Sequence, residues 1–162
     1  MAYFMKSHAD YAKNLTLSQV PDYFVKKGDD GDAKTGKFIF NTSDLDKVYG
    51  EIAKFEINWT EANPIRYHVG GDNVRLMDQY IGIGVSFREK KLIKIHDHDA
   101  YYAFGVKQEL KQGRVYFTNV ILANFCCDVT QRKFKVIFNI YKEHFENMKD
   151  HVLGILEGII CH

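Results

Sequence analysis

A chain of 162 residues with 22 Lys and Arg against 21 Asp and Glu carries a net charge of +1, so no long-range field of either sign steers it toward a polyanion or mimics one. Its 46% apolar and 27% charged residues exclude a disordered chain, and the length suits one domain over residues 1–162. No stretch approaches the roughly 20 apolar residues of a membrane span, no signal-peptide core stands in MAYFMKSHADYAKN, and three cysteines give no disulfide framework, so a reducing, cytoplasmic setting is expected.

The first 26 residues are aromatic, with Tyr3, Phe4, Tyr11, Tyr23 and Phe24, and show neither period cleanly; a short helix over residues 8–15 is expected. Residues 26–37 (KKGDDGDAKTGK) combine Gly, Asp and Lys without an apolar anchor, the composition of a flexible surface loop. KFIFN at 37–41 reads as a strand. Ser43 then stands as an N-cap before Leu45, Val48, Tyr49 and Ile52, whose 3- and 4-residue spacing predicts a helix over residues 43–54. FEINWT at 55–60 and PIRYHV at 64–69 are short strand candidates, and Gly70-Gly71-Asp72-Asn73 breaks the chain.

From Gln79 the alternation of Ile81, Ile83, Val85 and Phe87 predicts a half-buried strand. Reversals are expected at Glu89-Lys90, at 96–99 and at Lys111-Gln112-Gly113, where Gly113 suits a left-handed position. Residues 114–126 and 133–141 are the longest strands, the first apolar on both faces and therefore central. Tyr141, Phe145, Met148, Val152, Ile155 and Ile159 recur at helical spacing. The fold expectation is α+β: a curved, mostly antiparallel β-meander packed against a long C-terminal helix over about residues 142–159, with the shorter helix near residues 43–54.

Catalytic signatures are missing. The sequence holds no phosphate loop, nucleophile elbow or HExxH; Asp29-Asp30-Gly31-Asp32 fails the spacing of a calcium loop; Gly82 and Gly84 lie inside the expected strand. No cofactor is expected, and an enzyme is the weaker reading. The best chelating pair is His96 and His98 in IHDHDAYY. Two apart, they share a face if the strand persists, with a third ligand sought in His68, His144 or His151 and with Asp97 and Asp99 to orient the rings. Cys126 and Cys127, adjacent and on opposite sides of a strand, read as buried small hydrophobes.

Three function classes follow. A non-catalytic binding protein that occludes a macromolecular partner, of the inhibitor, immunity or phage and mobile-element type, would anchor on Tyr3, Phe4, Tyr11, Tyr23 and Phe24. A nucleic-acid binder would use basic hairpins, Arg88, Lys90, Lys91 and Lys94, then Lys111 and Arg114, then Arg132 and Lys133, around sheet aromatics. A metal-dependent enzyme would centre on His96 and His98. A protein partner is expected first, nucleic acid second, and no membrane.

Overall fold

The computed structural model describes residues 4–42, 52–66 and 69–162. In chain order the elements are β1 (Met5–Asp10), β2 (Leu15–Pro21), β3 (Phe24–Gly31), β4 (Gly36–Thr42), β5 (Ala53–Glu61), α1 (Val69–Gly82), β6 (Val85–Ile95), β7 (His98–Lys111), β8 (Arg114–Cys127), β9 (Arg132–Tyr141), α2 (Lys142–Glu157) and β10 (Ile159–Ile160). Seven strands form the main sheet in the order β3-β4-β5-β9-β8-β7-β6, and β1-β2-β10 form a small second sheet. All the strand pairings among the described residues are antiparallel.

Alternation builds the core. Phe38 and Phe40 of β4, Phe55, Ile57 and Trp59 of β5, and Phe134, Val136, Phe138 and Ile140 of β9 all point to one face of the main sheet and are buried. Across strands the rings stack, Phe40 on Phe55 at 4.7 Å and Phe55 on Phe138 at 5.0 Å between centroids; burying each ring contributes about 1.5–3 kcal/mol. Met148, Val152, Ile155 and Leu156 of α2 lie on this face, and Leu15, Leu17, Val20 and Ile159 of the small sheet join the same core. The opposite face has a smaller cluster, in which Leu76 and Met77 of α1 meet Ala103, Val120, Leu122 and Ile137. Helix α1 lies over β6, β7 and β8, so the polar side of β4, β5 and β9 extends beyond it.

The α+β description with a long C-terminal helix does not stand. Strand accounts for 60% of the chain and helix for 19%, which makes this a mostly antiparallel β protein with two short helices. α2 stops at Glu157, Gly158 caps it, and Ile159, expected on the helix, pairs with Leu17 in the small sheet. Residues 43–51 of the expected shorter helix lie outside the described residues, while Ala53 and Lys54 already belong to β5.

Other segments differ for identifiable reasons. Residues 8–15 are not helical: Asn14, at φ +50°, turns β1 back on β2. The expected loop at 26–37 is largely the β3–β4 hairpin. Residues 79–82 complete α1, because Leu76, Met77 and Tyr80 bury one helical side and Gly84, at φ +102°, breaks the apparent alternation before β6. Pro64–Arg66 form a turn rather than a strand. Glu89 and Lys90 do not reverse the chain but pair along β7, just after a bulge at Arg88. The reversals at His96-Asp97 and Gln112-Gly113 each carry two positive φ angles, +43° and +69°, then +52° and +76°, the backbone that matches the twist of tight hairpins.

Candidate metal centre

Four side chains able to ligate a metal converge at one end of the main sheet: His98, Cys127, Cys161 and His162. Strand pairing sets the first two. Gln112-Gly113 places Lys111 opposite Arg114, and the unbroken ladder counts back to Ala100 opposite Phe125; two residues further along the same register, His98 faces Cys127. The other two arrive through β10, whose pairing with β2 carries Cys161 and His162 across the core face.

Arg132 fixes this convergence. Opposite Cys127 on β9 and only 2% exposed, its guanidinium donates to the carbonyls of Lys13 at 2.7 Å, Asn14 at 2.7 Å, Ala33 at 3.0 Å and Cys161 at 2.9 Å. Its Nε donates to Thr130 Oγ1 at 3.0 Å. One side chain thus ties the β1–β2 turn, the β3–β4 turn and the segment after β10 to the sheet, with the fork geometry that a lysine lacks.

Three of the donor–donor distances come close to those of a chelate. His98 Nε2 lies 3.1 Å from Cys161 Sγ, Cys161 Sγ 3.5 Å from His162 Nδ1, and Cys127 Sγ 3.6 Å from His162 Nδ1; all four atoms fall within 4.8 Å of one another. A tetrahedral Zn2+ with bonds of about 2.3 Å to sulfur and about 2.0–2.1 Å to nitrogen has edges of roughly 3.3–3.8 Å. The electrostatics are also suitable. A hydrogen bond from Cys161, outweighing burial, and further bonds from Thr130 and His162 bring the Cys127 pKa down to about 4, whereas donating that bond, with burial, raises Cys161. The lowered Cys127 pKa favours the thiolate form that ligates a metal. Asp128 Oδ1 stands 3.7 Å from His98 Nδ1, on the side from which a carboxylate orients a ligating imidazole, and the ring stacks on Phe125.

His96 is not in the ligand set. It sits exposed in the β6–β7 turn, its ring 5.3 Å from that of His162. The third ligand sought in His68, His144 or His151 comes instead from the C-terminal segment: His68 lies outside the described residues, and His151 packs on α2 against the Tyr23 hydroxyl at 2.5 Å. Cys126 points to the opposite face, with burial pushing its pKa up to about 11.

The aromatic anchors divide. Phe4 and Tyr11, 79% and 92% exposed, flank opposite ends of β1, while Tyr23 and Phe24 are buried in the core; Tyr3 lies outside the described residues. The basic residues scatter. Arg88, Lys90, Lys91 and Lys94 line β6, an edge strand, where charge guards against edge pairing. Lys111 and Arg114 flank the turn at the far end of the ladder from His98, Arg132 is buried among carbonyls, and Lys133 faces Asp72 at 3.6 Å.

No protein-family model matches the chain, and no curated protein matches it. Solved structures do. Over 98% of this chain and 93% of theirs, the coordinates of cyanobacterial PsbP (CyanoP) from Synechocystis sp. PCC 6803 align with a TM-score of 0.64 at 7% identity. PA94 of Pseudomonas aeruginosa, described as a protein of unknown function, aligns over 94% of both chains at 0.53 and 14% identity. A Bacteroides thetaiotaomicron VPI-5482 protein aligns over 96% of this chain and 47% of its own at 0.54 and 15% identity. Among the described residues no helix is long and apolar enough to cross a membrane. At these identities the likeness is one of architecture: the chain has the fold seen in cyanobacterial PsbP.

Proposed function

We propose that this is a non-catalytic, zinc-binding protein in which the metal clamps the segment after β10 to the end of the main sheet. The observation that carries the reading is the convergence of two imidazole nitrogens and two thiol sulfurs within 4.8 Å. Mixed sulfur and nitrogen donors favour Zn2+ over hard cations. Four protein ligands fill its coordination shell, which suits a structural or regulatory ion and leaves no position for an activated water. Three free cysteines fit a reducing, cytoplasmic compartment. An occluding role through the N-terminal aromatics has less support, since Tyr23 and Phe24 belong to the core and Phe4 and Tyr11 do not adjoin.

The test is titration of the reduced protein with Co2+ as a spectroscopic stand-in. One equivalent should give the visible absorption of tetrahedral cobalt with a thiolate charge-transfer band, both bleached by Zn2+. Cys161→Ser should weaken binding by at least tenfold, in the range seen when the surroundings of a ligand are disturbed, about 10–100-fold. His96→Ala should leave the spectrum unchanged. Octahedral cobalt, or a spectrum indifferent to Cys127→Ser and Cys161→Ser, would refute the proposal.

A further inference from the structure

On the face of the sheet away from the metal centre, a groove of about 410 Å3 runs between α1 and the open side of β5, β9 and β8. Its volume lies at the lower end of the range of small-molecule sites, about 300–1,000 Å3. Asp72, Arg75 and Leu76 come from α1, Asn124 from β8, and Lys133 and Lys135 from β9. A second depression of about 250 Å3 shares Asp72, Arg75 and Lys133, so the charged part of the groove continues past the start of the helix.

Two independent observations identify what it would take. The first is charge: three cations converge with one carboxylate. Asp72 is already approached by Arg75 at 3.3 Å and Lys133 at 3.6 Å, and Lys135 projects from the adjacent turn of the pleat on the same face without an ion pair among the described residues. The second is Asn124. It is 3% exposed, lines the groove, and its Oδ1 is buried with no hydrogen-bond partner among the described residues. Buried amide oxygens are ordinarily satisfied, and an unpartnered one on a residue that lines a groove calls for a donor on whatever fills it.

We infer that the groove binds a small organic anion whose phosphate or carboxylate lies between Arg75, Lys133 and Lys135 and whose N–H or O–H donates to Asn124 Oδ1. Pleating puts Asn124, Lys133 and Lys135 on the face opposite Phe125, Phe134 and Val136, so the site does not depend on the metal reading. No bond is made or broken; the inferred activity is capture.

Protein labelled with 15N, in zinc-loaded and chelated forms, would be titrated with inorganic phosphate, glycerol 3-phosphate, citrate and adenosine monophosphate, with chloride matching ionic strength. At least one organic anion should shift the Asn124 side-chain amide and the Lys133 and Lys135 backbone amides saturably and with one common affinity, in both forms. Both lysines are at the surface, so the double variant Lys133→Gln with Lys135→Gln should fold normally and weaken that affinity by at least tenfold; Asn124→Asp, which opposes an anion with a carboxylate, should abolish it. No saturable shift with any of the four, or an affinity that survives the double lysine variant, would overturn the inference.

Discussion

His8 sits half-buried and edge-on to Phe40, with ring centroids 5.0 Å apart. Burial first, then Lys26 and Lys6, lowers its pKa below the ordinary 6.5. The unfolded chain therefore takes up the proton more readily than the folded one. The stability that His8 contributes is complete above about pH 6.5 and is lost as the pH falls through the lower folded value. Urea unfolding of chelated protein should show a midpoint that declines between about pH 7 and pH 5, and His8→Leu should flatten part of that decline; an unchanged slope would count against it. The residues of the candidate metal centre show how residue-level legibility varies. His98 can be read from sequence as half of a chelating pair, and Cys127 could have been placed opposite it by counting back from the Gln112-Gly113 turn, since no bulge interrupts that ladder. Cys161 and His162 could not, because their position depends on β10 pairing with a strand some 140 residues away, as the Ser18 to Gly158 hydrogen bond shows.

Among elements, those with local logic were the legible ones. β5, β8 and β9 declare themselves through period-2 aromatics, and the two tight hairpins through their turn residues. α1 is disguised in sequence because Ile81 and Ile83 mimic a strand face although both are exposed, while the residues that decide the matter, Leu76, Met77 and Tyr80, are ordered by what they cover. In sequence Arg132 resembles a surface contact to nucleic acid, because nothing local reveals the four carbonyls that it meets. Arg132→Lys should cost about 3 kcal/mol, since an ammonium cannot span carbonyls on three segments and each hydrogen bond to a charged group contributes about 1.5–3 kcal/mol. A lower urea midpoint at unchanged slope is the expected reading. Loss of less than about 0.5 kcal/mol, the range of an ordinary surface substitution, would show that the segments hold without it.

For the whole molecule, the proposed zinc binding would be coupled to folding, because the four donors meet only once the strands have paired. Zinc at a hundredfold excess over its dissociation constant adds about 2.7 kcal/mol, and a chain of this size shifts by about 2–4 °C per kcal/mol. Chelation should therefore lower Tm by roughly 5–10 °C, and the double variant Cys127→Ser with Cys161→Ser should be insensitive to chelator; a wild-type Tm indifferent to chelation would separate the metal from the fold. At this scale the sequence conveys dominant antiparallel pairing from β6 onward, and it conceals the small second sheet, which joins strands from the two ends of the described chain. The same long reach would govern the proposed ion. His98 and Cys161 stand 63 positions apart, unlike the closely spaced cysteine pairs that grip zinc in short fingers, so an unravelled polypeptide offers scattered single donors and no pincer. Release on denaturation should then be abrupt, and fresh polypeptide would acquire its ion late, after the strands have assembled, making occupancy a report on completed folding.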